Sequence, residues 1–409
     1  MEKKNSSVIV PDLKLFSKEQ LLAAALGLAH DEQLPVAVWR MPHQSEINLL
    51  ISFSEATQLD RYELQELKNG FAFAPFNFNR QKGYFINGDV LLSFDFGEIV
   101  LKSPNQDFGE NAEVTEFKRK LVDRIESGKT NRFVNQQNTL KSTDSCDYKQ
   151  LVEKSIEAIN DGFFEKVVPA RSIDISLPQH FDLLKLFGDL CAAYQNAFIS
   201  FVSIPEVGSW LGATPEILIE REANIFRTHA LAATQRYNPE NDLSETLWTQ
   251  KEIEEQAMVS RYIISCFKRI RLREFSEKGP QTVKAGNLLH LKTSFEVDLM
   301  ATNFPELPTV MLELLHPTSA VAGMPKDQAI SFLKLEEKLD RSFYSGFLGP
   351  VNIEDRTSLF VNLRCMELAG NKARLFAGAG VTAHSNPDKE FAETEMKFNT
   401  LLNILNQDN

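Results

Sequence analysis

One lysine, one glutamate and two acidic pairs stand in this sequence where burial would change their chemistry. Lys166 lies in the apolar run Phe163-Phe164-Glu165-Lys166-Val167-Val168, and period-two alternation puts it on one strand face with Phe164 and Val168. An ordinary lysine, with a pKa of about 10.4, is protonated at neutral pH, whereas desolvation favours the uncharged amine that a general base requires. An edge lysine whose head reaches past its neighbours to water fits the same segment equally well. Glu216 opens the apolar strand of Gly212-Ala213-Thr214-Pro215-Glu216-Ile217-Leu218-Ile219 after a tight Gly/Pro segment. A carboxyl buried there keeps its proton and can donate it, and one at a surface turn does not; the segment alone leaves both readings open.

The acidic pairs sit on two predicted helices. In the first, roughly Glu245 to Arg271, the residues Trp248, Glu252, Glu255, Val259, Tyr262, Cys266 and Ile270 recur at steps of three or four, placing two carboxylates in a mainly apolar stripe. The second begins near Asn386-Pro387, an N-cap followed by proline, and sets Glu390, Glu393 and Lys397 on one face with Leu401 and Ile404. Taken singly, each reads as a solvated helix boundary, and a Glu393–Lys397 pair at that spacing is worth only ~0.3 to 0.5 kcal/mol. Meeting across a pocket, the two faces would offer the hard oxygen donors that Mg²⁺ prefers. His316-Pro317-Thr318 follows Leu312 to Leu315 at an element end, where an imidazole either meets a ligand oxygen or caps the core. Arg364, ending Leu359-Phe360-Val361-Asn362-Leu363-Arg364, can fork onto a carboxylate. Ala377-Gly378-Ala379-Gly380 bares backbone amides, but without the third glycine of a dinucleotide loop or the Gly-Lys-Ser/Thr of a P-loop.

The elements that must position these groups alternate irregularly. A helix is predicted from Ser17, with a capping box to Gln20, to about His30, and short strands fall between Phe85 and Phe96. The stretch from Gly128 to Asp147 is polar and reads as a connection. Beyond it, Val152, Ile156 and Ile159 keep helical spacing up to Gly162, Phe164 to Ile175 reads as a strand, and Ala197 to Phe226 as a hairpin turning near Pro205 and Gly208. Strands outnumber a simple βαβ rhythm, which predicts a large α+β assembly of mainly antiparallel sheets rather than a doubly wound parallel one.

The chain has 409 residues, 43% hydrophobic and 24% charged, in the range of a globular protein with a large core. A net charge of -12 opposes binding to nucleic acid or anionic membrane. Four scattered cysteines, Cys146, Cys191, Cys266 and Cys365, form no zinc or disulfide pattern, and neither a signal-peptide core nor a membrane-spanning run is expected. A reducing, cytoplasmic setting fits this usage.

Taken in order, Lys166-Val167-Val168, Gly212 to Glu216, Leu231-Ala232-Ala233-Thr234, Lys251-Glu252 to Glu255, His316-Pro317-Thr318, Arg341 to Gly346, Arg364, Ala377 to Gly380 and Glu390 to Lys397 resemble the chorismate-utilising enzymes. That family comprises isochorismate, salicylate, anthranilate and aminodeoxychorismate synthases. The resemblance covers about residues 147 to 409 and implies a single unit of extensive antiparallel sheets flanked by helices, with residues 1 to 140 as its variable N-terminal portion. It implies Lys166 as the base that activates water and Glu216 as the acid that protonates the departing C4 hydroxyl. It further implies Glu255 and Glu393 as Mg²⁺ ligands supported by Glu252 and Glu390. Tyr344, Arg364, Lys397 and the Gly380 amide would hold the carboxylates of chorismate; His316 would face its ring hydroxyl region, and Ala232, Thr234 and Gly378 would line the site.

The resemblance also discriminates among branches. The family's ammonia-using members usually carry glutamine in place of Lys166, and its covalent members carry lysine in place of Ala232, so water attack at C2 is implied, most like the isochorismate synthases of menaquinone or siderophore biosynthesis. A salicylate synthase, which goes on to eliminate pyruvate, shares these residues, and a non-catalytic relative would be expected to have lost one of them. Departures from the pattern are Gln256 for histidine, Ala233 for glycine, Gln235 for arginine, Phe391 for tryptophan and Pro169 within the usual Val-Val-Leu run. A soluble isomerase, monomeric or weakly homo-oligomeric, is the resulting expectation.

Overall fold

Side-chain alternation in the strands decides the architecture. In Phe198–Ile204, Phe198, Val202 and Ile204 pack into one apolar core while Ile199 and Phe201 pack into another, so both faces of that strand are covered. The computed structural model describes residues 13–77, 81–95, 98–102, 112–129, 145–237, 243, 246–285 and 288–406. The predicted connection from Gly128 to Asp147 lies mostly outside them, and its last residues already belong to a helix.

In chain order the elements are α1 (Lys18–Asp31), β1 (Val36–Arg40), β2 (Ile47–Ile51), β3 (Thr57–Leu59), β4 (Gly70–Ala74), β5 (Gly83–Asn87), β6 (Val90–Asp95), β7 (Glu98–Lys102), α2 (Ala112–Glu126) and α3 (Ser145–Asn160). There follow β8 (Lys166–Val167), β9 (Ala170–Ser176), α4 (Leu183–Ala193), β10 (Phe198–Ile204), β11 (Gly208–Thr214), β12 (Ile217–Glu222), β13 (Ile225–Arg236), α5 (Gln250–Arg269), β14 (Ser276–Ala285) and β15 (Leu288–Asp298). The last are α6 (Leu307–Leu315), β16 (Gly323–Met324), α7 (Lys326–Glu336), β17 (Phe347–Val351), β18 (Arg356–Val361), β19 (Cys365–Ala369), β20 (Lys372–Gly378) and α8 (Pro387–Leu405).

Two nine-stranded sheets result, ordered β7-β6-β2-β1-β10-β11-β19-β20-β9 and β14-β15-β13-β12-β18-β17-β4-β5-β3, with β8 and β16 forming a separate pair. The strand pairings described are antiparallel, as in the α+β assembly expected from sequence. The two large sheets face each other across an aromatic layer in which Phe198 stacks on Phe360 at 4.1 Å, Phe73 on Phe343 at 3.9 Å and Trp210 on Phe376 at 5.3 Å. Helices α1, α2, α4 and α8 cover the outer face of the first sheet, and α5, α6 and α7 that of the second. Among the described residues no helix is long and apolar enough to cross a membrane.

Three sequence expectations need correction. The strand predicted over Phe164 to Ile175 is two, because Pro169, with no N–H to donate, interrupts the ladder between β8 and β9. The hairpin predicted over Ala197 to Phe226 is a pair of hairpins in different sheets, β10-β11 and β12-β13, with the chain changing sheets at Pro215. The long helix starts at Gln250, not Glu245: Thr249 caps it, receiving the Glu252 N–H while Glu252 Oε2 accepts the Thr249 N–H at 2.7 Å.

Candidate active site

Two sheet-to-sheet crossings lie side by side and carry two of the predicted groups. Glu216 sits between β11 and β12, and Arg364 between β18 and β19. The crossings are bonded together: Ala213 N–H donates to Arg364 O at 3.0 Å, Val361 N–H to Glu216 O at 2.9 Å, and Thr214 Oγ1–H to Val361 O at 2.6 Å. Arg364 adopts φ +49°, a left-handed conformation that a branched or long side chain takes only where surrounding structure enforces it.

Lys166 reaches the same place from β8. Its strand pairs with Gly323–Met324, and Val167 exchanges backbone hydrogen bonds with Val381 just past β20. Either side of Pro169 is clamped by a buried ion pair: Arg341 donates to Val168 O at 2.6 Å and to both oxygens of Glu337, which also accepts the Ala170 N–H at 2.8 Å. Gly380 flanks the lysine, since a Cβ there would stand 3.4 Å from Nζ; Gly378 faces the Tyr344 hydroxyl in the same way, at 3.2 Å.

Helix α8 brings the remaining charges. It is fixed to β9 by Arg171, which donates to Thr394 Oγ1 at 2.7 Å, pairs with Glu395 and lies over the Phe391 ring at 4.0 Å, so the phenyl group here fills the stacking place of the expected tryptophan. On the opposite helix face Lys397 donates to Glu393 and to Gly378 O, each at 2.7 Å.

These groups act on one another. Burial lowers the pKa of Lys166 and thus favours the neutral amine, against the pull of Glu255, Glu393 and Glu216. Burial pushes Glu216 up to about 7, opposed by Lys166, Lys397 and Arg364. Burial would raise Glu393 too, but Lys397, Arg364 and Lys166 together hold it below its ordinary value and keep it anionic. An amine and a carboxyl whose charged forms burial disfavours thus stand close to a carboxylate that cationic neighbours keep ionised, an acid and base pair beside an anion.

The other predicted residues separate into those at this cleft and those elsewhere. Tyr344 is buried and stacked on Phe376, and it bears on Arg364. Ala232 precedes a bulge in β13 at which Ala233 takes φ +60°, the conformation that explains why glycine is usual there. Thr234 lies on the same strand, its side chain outside the described residues. Glu252 caps its helix, and its Oε2 also receives Gln235 Nε2 at 2.9 Å. Glu390 is buried beside Tyr148. His316 is half-buried and lines a cavity of about 280 Å³ with Tyr62, Phe76 and Phe347; Nε2 lies 3.2 Å from Pro75 O, the ring meets Phe347 edge-on, and burial drives its pKa to about 3. Gln256 points into the sheet, donating to Thr293 Oγ1 at 2.9 Å, and holds α5 on β13 and β15.

Among the described residues no three His, Cys, Asp or Glu side chains converge as a preformed metal cage. What the cleft holds is Glu255 and Glu393, both acting on Lys166 from two helices, and two carboxylates are the protein donor set that Mg²⁺ takes when water and an anionic ligand complete its octahedron. One residue of the cleft escaped sequence reasoning. His290 on β15 has Nδ1 2.8 Å from Ala233 O and feels the charges of Arg364 and Lys397. Its signal was a single polar ring in the alternating run Leu289-His290-Leu291.

The model of the family described as chorismate binding enzyme matches residues 90–406. The chain belongs to the chorismate binding enzyme family. Similar relatives within it are the isochorismate synthase EntC of Escherichia coli K12, 29% identical over 63% of this chain and 66% of its own length, and the isochorismate synthase DhbC of Bacillus subtilis, 32% identical over 64% and 68%. The chain thus spans about two thirds of the length of these family members. In structure it is similar to MenF, the menaquinone-specific isochorismate synthase from Escherichia coli, with a TM-score of 0.74 and 21% identity over 95% of this chain and 91% of that one. Anthranilate synthase component I from Streptococcus pneumoniae shares the fold at a TM-score of 0.67 and 16% identity, over 90% and 89%.

Proposed function

We propose that the chain is an isomerase that converts chorismate to isochorismate with Mg²⁺. The observation that carries this reading is the pairing of Lys166, whose pKa burial lowers, with Glu216, whose pKa burial raises to about 7, in one cleft. The relatives named above as isochorismate synthases support it. In this reading neutral Lys166 takes a proton from a water as that water adds to C2. The ring double bonds shift, and the C4 hydroxyl departs with the proton of Glu216; such acid and base steps typically contribute ~10² to 10⁴-fold each. Ala232 offers no nucleophile, which favours direct water attack over a covalent route.

Arg364, Lys397, Tyr344 and the Gly380 amide would bind and orient the two carboxylates of chorismate. Glu255 and Glu393 would hold Mg²⁺, which when bound supplies positive charge to the ring carboxylate. The relatives include enzymes named as menaquinone-specific and vibriobactin-specific, so either kind of pathway accords with the chain. Incubation with chorismate and Mg²⁺ followed by chromatography tests the proposal. Isochorismate approaching a mixture with chorismate is the expected result; salicylate with pyruvate would replace it by a lyase, and the absence of any product would overturn it.

A further inference from the structure

In the proposed isomerisation one water enters and one leaves, yet the protons do not end where they began. Lys166 gains one from the attacking water and Glu216 gives one to the departing hydroxyl. Each turnover therefore leaves the enzyme protonated for the reverse reaction. Before the next chorismate can react, Glu216 must take up one proton and Lys166 must release one.

Behind Glu216 the structure holds a cavity of about 20 Å³, bounded by β12, β13, α5 and the turn after α6. Neither Lys166 nor Glu255, Arg364, Glu393 or Lys397 lines it, so it is reached from Glu216 without passing the amine. Thr318 and Ser319 do line it, and their hydroxyl oxygens are buried without a hydrogen-bond partner, as is Nδ1 of His229 on the same wall. Ser319 is only 2% exposed. Thr318 Oγ1 lies close enough to Glu216 to favour its ionised form. Orphaned buried hydroxyls are uncommon in folded proteins, and a polar space of this size admits one water bridging such groups.

We propose that Glu216 regains its proton from bulk water through this cavity, whose wall includes the half-buried His229, Tyr262 and Ala320. The hydroxyls of Thr318 and Ser319 and one bridging water each pass a proton inward and take one from the outer side, while Lys166 gives its own to water in the substrate cleft. The proposal rests on the reading of Glu216 as the general acid. Thr318 and Ser319 are then positioning residues whose work falls between turnovers, when the free enzyme resets.

A step confined to the free enzyme slows kcat without slowing kcat/KM, which separates this role from a structural one. In Thr318→Val and Ser319→Ala, kcat is expected to fall about tenfold with kcat/KM held within about twofold. Inhibition by isochorismate should turn from competitive to noncompetitive against chorismate, and Thr318→Ser should restore kcat. A parallel fall in kcat and kcat/KM, or no change in either, would overturn the proposal. Should Thr318→Val fail to fold, Ser319→Ala carries the test alone. Wild-type enzyme is assayed first: if it makes no isochorismate, the functional reading fails, whereas a wild type that turns over beside variants with unaltered kcat sinks only the proton route.

Discussion

A Cβ placed on Gly380 would stand 2.9 Å from Cε of Lys166, so the missing side chain is the space the lysine stem occupies. Gly380→Ala should therefore displace the amine while leaving the fold intact, because the clashing atoms belong to a flexible side chain. Misplacing a catalytic group by about 1 Å can cost on the order of 10²-fold in rate. The expected result is a kcat lower by about that factor with a thermal midpoint close to wild type; unchanged turnover would show that the amine is not held by this contact.

Lys166→Ala should lose turnover while chorismate still binds. The carboxylate-holding groups lie elsewhere in the chain, Arg364 between β18 and β19 and Lys397 on α8, where Lys397 keeps its bonds to Glu393 and Gly378 O. The drop in kcat is expected within ~10² to 10⁴-fold, the range of a general base, with affinity measured calorimetrically changing far less. Loss of binding alone would reassign the lysine from chemistry to recognition.

Glu216 makes stability depend on pH. Its folded pKa of about 7 stands above the 4.5 of the unfolded chain, so the native state binds more protons between those values and stability falls as pH rises through that window. Glu216→Gln removes this titration. Relative to wild type, the variant should gain roughly 2 to 3 kcal/mol between pH 4.5 and pH 8, read from urea unfolding at several pH values. A difference independent of pH would mean that the carboxyl is not held protonated.

The ion pair of Arg341 and Glu337 holds the chain on both sides of Pro169 and is almost fully buried. Glu337→Ala leaves the guanidinium without its counterion and should destabilise the protein by about 3 to 5 kcal/mol. The double change Arg341→Met with Glu337→Leu should cost less than the single one. A loss under about 1 kcal/mol for Glu337→Ala would place the pair among weak surface bridges.

Glu252 and Glu393 should respond differently to Mg²⁺. If Glu393 is a ligand, Glu393→Gln abolishes the rise in thermal midpoint that added Mg²⁺ produces in the wild type. Glu252→Gln should keep that rise and leave the midpoint close to wild type, because a glutamine amide oxygen can still accept the Thr249 N–H, as Gln20 accepts that of Ser17. Equal loss of the Mg²⁺ response in both would return Glu252 to the metal.

Much of this was legible from residue order. Alternation in Phe198–Ile204 and Leu359 to Arg364, and the caps at Ser17 and Asn386, announced strands and helices at or near their observed positions, because pleat and helix periodicity act over a few residues. Even the cap that moves the start of α5 is written as Thr249-x-x-Glu252, a capping box masked by the carboxylate stripe it belongs to.

Burial was not legible, and it decides the site. From sequence Lys166 could snorkel, Glu216 could face water and His316 could meet a ligand; each local segment allowed two outcomes of similar standing. Only the crossings at Glu216 and Arg364, which β11, β12, β18 and β19 bring together from residues about 150 apart, determine which side chains share a cleft. The physical reason is that desolvation and charge act through space: the sequence sets which groups can titrate, and the tertiary structure sets what surrounds them and so which proton each one keeps.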